Sequence, residues 1–132
     1  MKYAIIIARS VLGLIYLVFG LDFFFHFVSH IVSFPPLDDK ANAFLGELAA
    51  AKYFFPFLKV IEIICGLFLI INRYTLFFIL AVFPITINIF LFHAFLACPV
   101  VLLGATMLVL NLFLMVVYRK YYISLFTVSP GN

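Results

Sequence analysis

Four windows of about twenty predominantly apolar residues, near 4–27, 53–72, 74–93 and 99–118, take up most of this chain of 132 residues. Each is long enough to cross the hydrocarbon of a bilayer as a helix rising about 1.5 Å per residue. None alternates polar with apolar residues, and all are too long for barrel strands. The predicted fold class is therefore all-α: a four-transmembrane-helix bundle forming a single integral membrane domain over residues 1–132. Charge agrees with this, since only 10% of residues are charged whereas a soluble domain carries about a quarter.

The basic residues form no run and stand at the ends of apolar segments, which argues against nucleic acid as a partner; the partner is the lipid bilayer. The first apolar run continues past residue 25 with large side chains and no small-residue cleavage site, so a retained first span is expected. Lys2, Arg9, Arg73, Arg119 and Lys120 fall on one side of the four spans, and Lys40, Lys52 and Lys59 on the other. By the excess of basic residues, both termini are expected in the cytoplasm, with the bacterial inner (cytoplasmic) membrane as the expected location.

The connection 28–52 carries a pattern of its own. Phe34-Pro35-Pro36 stops the first helix, Asp38 or Asp39 can cap a new one, and the apolar positions 41, 44, 45, 48 and 49 share one helical face. A short amphipathic interfacial helix is expected between the first and second spans, covering the bundle or merely connecting. Pro84 falls inside the third span and should kink it.

Ionisable groups within a span are costly and mark either function or an internal pair. Arg9, Gly13, Tyr16, Gly20, His26 and His30 share a stripe on the first span. Lys59, Glu62 and Gly66 share one on the second, and Gly104, Met107 and Asn111 one on the fourth. With Tyr53 as the outer boundary, Glu62 lies about 13 Å deep. His26, Lys59, Glu62, Asn88 and His93 all fall in the outer half, which predicts a polar pocket there with Glu62 as its acid–base group. Lys59, His26, Asn88 and His93 are the expected ligand-binding residues. Glu62 needs a cation or a proton, and the expected structural ion pair is Arg9 with Glu62, with Lys59 as the other candidate.

His26 and His30, four residues apart, have the spacing of metal ligands. Interfacial histidines are more often simple hydrogen-bonded groups, so neither metal nor haem is expected. Cys65 and Cys98 are too few for a disulfide framework and lie at different depths.

Arg9 with Leu12-Gly13-Leu14 and Val18-Phe19-Gly20, the stretch Tyr53-Phe54-Phe55-Pro56-Phe57-Leu58-Lys59-Val60-Ile61-Glu62, and Asn88-Ile89-Phe90-Leu91-Phe92-His93 resemble the DoxX-like family of small four-helix membrane proteins. The resemblance extends over nearly the whole chain and implies association with a redox system, in some members quinone-linked. On that basis the expected function is an accessory subunit of a membrane redox (quinone-linked) assembly, with a quinone as the expected ligand and other redox-complex subunits as partners. Whether it oligomerises is left open. The rival reading is a non-catalytic membrane anchor whose buried polar residues only specify helix packing. A transporter is disfavoured, because four short helices without repeats leave little room for alternating access.

Overall fold

A computed structural model describes residues 1–131, all of them in helices, turns and connections with no strand. The four long helices are α1 (Lys2–Phe25), α3 (Phe54–Ile71), α4 (Thr75–Leu96) and α5 (Val101–Val117), the last entered through a 3-10 turn at Cys98–Val100. Between the first two lies α2 (Asp39–Ala50), and α6 (Arg119–Tyr122) follows the bundle. All four long elements are long and apolar enough to cross a membrane, so the chain is a multi-pass membrane protein. The observed ends differ from the apolar windows by one to three residues. α1 begins two residues earlier than its window, for example, and α4 runs three residues beyond its own.

The ends have local causes. α1 stops where His26 turns left-handed at φ 53° and the Asp22 carboxylate accepts from the Val28 amide at 2.8 Å. α2 starts because the Asp38 side chain accepts from the Ala41 amide at 2.9 Å. α3 ends at Asn72, a residue that tolerates the left-handed cap it adopts (φ 57°), and Thr75 donates to its side chain at 2.6 Å. α4 continues through Pro84 as one helix.

Around the bundle the helices neighbour one another in the order α1, α3, α4, α5. The stripes read from the sequence are the faces turned inward: Arg9, Gly13, Tyr16 and Gly20 on α1, Glu62 and Gly66 on α3, Gly104, Met107 and Asn111 on α5. Aliphatic and aromatic side chains such as Leu14, Phe57, Leu67, Phe77, Leu102 and Val109 face outward. With water replaced by lipid there is little hydrophobic force to press helices together, and close backbone packing does more of the work. α1 and α3 meet through paired glycines: a Cβ on Gly66 would stand 2.6 Å from the Gly13 carbonyl oxygen. Both cysteines are free, Cys65 buried and Cys98 exposed.

Candidate functional site

At the end of the bundle remote from the termini, α1, α3, α4 and α5 splay around a cavity of about 350 Å³. α2 and the Phe34–Leu37 strap close it from above, through Phe44, Leu45 and Leu48. Phe44 stacks on Phe92 of α4, ring centres 5.9 Å apart. A cavity of this size, apolar apart from a few convergent polar groups, is the common form of a small-molecule site. Lys59, Glu62, Asn88 and His93 are its polar groups, so the structure brings four of the five expected pocket residues together.

Glu62 is 2% exposed. Its cation is Lys59, one helical turn earlier: the ammonium lies 3.1 Å from Oε2 and 3.5 Å from Oε1. Only the longer contact is aligned as a hydrogen bond, and Oε2 is left without a donor from the protein. Lys59 is partly exposed, its side chain reaching along the cavity wall. Asn88 is exposed although it sits within a span, so the polar lining of the cavity reaches the accessible surface there. The His93 ring occupies space left by Gly104 of α5, where a Cβ would come within 2.6 Å of Nδ1. That nitrogen is buried without a partner.

Two expectations are corrected. His26 does not line the cavity; it is exposed, because α1 has ended and the chain turns away at that residue. His30 is likewise exposed. Arg9 does not pair with Glu62. α3 runs antiparallel to α1, so the groups level with Arg9 are the last carbonyls of α3, and Glu62 is about 10 Å further along. The guanidinium donates to the carbonyls of Leu69 and Ile70, the latter at 3.1 Å. It acts as a cation at a helix C-terminus, where the helix dipole favours one. Among the described residues no three His, Cys, Asp or Glu side chains are grouped to hold a metal ion.

Tyr16, Thr86 and Asn111 appear in the sequence as separate polar residues on three spans. They form one fully buried chain at mid-bundle. The Tyr16 hydroxyl is hydrogen-bonded to Thr86 Oγ1, Thr86 donates to Asn111 Oδ1 at 2.7 Å, and Asn111 Nδ2 donates to the Ile79 carbonyl at 3.3 Å. Each member has a partner, so the chain is a packing device. The signal available beforehand was their shared depth: each lies near the middle of its helix, on the inward face.

Comparison with protein-family models, with curated proteins and with solved structures finds no match for this chain.

Proposed function

We propose that the chain is an accessory subunit of a membrane redox assembly, and that its cavity receives the head of a lipophilic quinone-type molecule. The observation that carries this reading is the convergence of Lys59, Glu62, Asn88 and His93 on one aromatic-walled cavity lined by all four long helices. A flat ring suits walls of Phe and Leu. Lys59 has donors for a carbonyl, and Glu62 is a proton acceptor for a hydroxyl. Oxidising a quinol releases two protons and two electrons. The chain's contribution would be binding and proton acceptance, with the electrons passing to a redox centre on a partner subunit. The DoxX-like resemblance, whose quoted motifs lie on the first three spans, supports the redox association. The spread of Lys and Arg supports both termini lying in the cytoplasm of a bacterial inner membrane.

The test is thermal melting of the detergent-solubilised protein with a short-chain quinone analogue. A ligand bound only by the folded state stabilises it by about 2.7 kcal/mol at a hundred times its Kd. The gain should shrink in Lys59→Ala and His93→Ala and persist in Tyr122→Phe at the opposite end. Absence of any shift, together with no copurifying lipid or chromophore, would leave the membrane-anchor reading in its place.

A further inference from the structure

We infer that the cavity is built for the reduced, hydroxyl-bearing form of its ligand and holds a hydroquinone in preference to the corresponding quinone. This rests on the quinone-type reading above and specifies which redox state the site selects.

The argument starts from Glu62. A carboxylate has about four acceptor positions across its two oxygens, and the protein supplies one long hydrogen bond, from Lys59 to Oε1. Oε2 has the ammonium close by at 3.1 Å, yet in an orientation that leaves it without a hydrogen bond. Glu62 is almost wholly buried, and in a low-dielectric site an acceptor without a donor is costly. What Oε2 lacks is therefore an aligned donor, and a ligand beside it can bring one.

A quinone head carries only acceptors. Its carbonyl can accept a hydrogen bond from Lys59, but it sets a second acceptor beside Oε2 and leaves the deficit unrepaired. A hydroquinone does both at once. One hydroxyl donates to Oε2, in the short charge-assisted geometry that makes O–H···O⁻ bonds strong, and the same oxygen accepts from the Lys59 ammonium. Asn88 does not discriminate, because its amide carries both donor and acceptor. His93 does not either: its buried nitrogen is turned into the Gly104 notch, where there is no room for a ligand atom. The selection falls on Glu62.

Tetramethylbenzoquinone and its hydroquinone are the probes, titrated anaerobically against the full-length protein while melting is followed. The hydroquinone should stabilise at about tenfold lower concentration, the size expected for one hydrogen bond to a charged group. In Glu62→Gln the preference should vanish, since a carboxamide serves a carbonyl as readily as a hydroxyl. A second measurement needs no variant: tighter binding of the reduced form raises the midpoint potential of the bound couple, by about 30 mV for a tenfold preference in a two-electron couple. Equal binding of the two forms, a preference for the quinone, or an unshifted potential overturns the inference and leaves the quinone-type reading standing. A protonated Glu62, which would donate to a carbonyl, is the state that gives the second of these. If neither form changes the melting curve, both the inference and the reading beneath it fail.

Discussion

The two halves of this bundle contain similar residues and use them in opposite ways. Among the described residues of the half towards the termini and through the middle, each buried polar side chain has a partner. Arg9 caps the last carbonyls of α3, Tyr16, Thr86 and Asn111 form a closed hydrogen-bonded chain, and Gly13 and Gly66 bring two backbones into contact. In the half under α2 the helices part, a cavity opens, and the buried Glu62 Oε2 and His93 Nδ1 have no partner. A satisfied buried network specifies a unique packing, whereas an unsatisfied acceptor that faces a cavity, as Glu62 Oε2 does, costs stability unless something else completes it. The separation between partnered and unpartnered buried polarity in this protein is thus spatial, running across the bundle axis.

That contrast can be broken most forcibly at the glycine contact. Gly66→Ala drives a methyl group into the backbone of α1, with Leu17 N at 2.7 Å as well as the Gly13 carbonyl oxygen at 2.6 Å. Overpacking against backbone should cost about 3 kcal/mol or more, read as a lowered melting temperature. Gly46→Ala on α2, where a Cβ meets nothing within 4 Å, should cost nothing. If Gly66→Ala melts like the wild type, the tight half is not tight.

The next test sets one polar group from each half against the other. Asn111→Leu removes two hydrogen bonds, from Thr86, whose hydroxyl keeps the Val82 carbonyl at 3.0 Å, and to the Ile79 carbonyl, and should cost about 1–3 kcal/mol. Glu62→Gln should cost less, because Lys59 is partly exposed and can turn its ammonium to the headgroups. The reverse order would mean that the Glu62–Lys59 pair supports the fold and that the cavity half is structural too.

Arg9 and Glu62 permit a sharper version. Arg9→Met should destabilise by about 1.5–3 kcal/mol through loss of charged hydrogen bonds to the end of α3. Combined with Glu62→Gln, the two effects should add to within about 0.5 kcal/mol, as for residues that share no partner. A larger coupling in the double-mutant cycle would restore the direct ion pair that the structure replaces.

The smallest effect is at Tyr122, whose hydroxyl donates to the Leu76 carbonyl at 2.8 Å. Tyr122→Phe should cost about 1 kcal/mol. Burial pushes this phenol from 10.0 up to about 12. Because the fold retains the neutral form, the contribution is complete below pH 10 and is lost as pH rises through about 12. Melting curves of wild type and Tyr122→Phe should therefore converge across that window.

Much of the fold was legible because membrane spans and inward stripes are local patterns. The run of apolar residues locates each helix, and the 3.6-residue period places Arg9, Gly13, Tyr16 and Gly20 on one face without knowledge of the neighbours. Asp38 as the cap of α2 is equally local. Pairing between helices is not a local pattern, and neither is a helix end that no Gly or Pro marks. Depth alone left Arg9 and Lys59 both open as partners for Glu62; antiparallel register, which aligns Arg9 with residues 69 and 70 of α3, excludes one of them. His26 was misassigned because the helical stripe was extended beyond a helix that ends there, and no Gly or Pro marks that end; the stop is a left-handed histidine and an aspartate reaching forward. The Tyr16–Thr86–Asn111 chain spans three helices, so no periodicity within any one of them could reveal it.

The notch at Gly104 carries an evolutionary consequence. Because the His93 imidazole lies where a side chain at 104 would begin, the two positions cannot drift independently. An alanine at 104 is disfavoured while histidine stays at 93, because the ring has to move aside and the Phe90 Cα, 3.1 Å from the same Cβ, has to give slightly as well. Among descendants of this sequence the pair should therefore change preferentially in one order, with the histidine lost before the glycine, and a saturation library scored for folded protein should reproduce that bias.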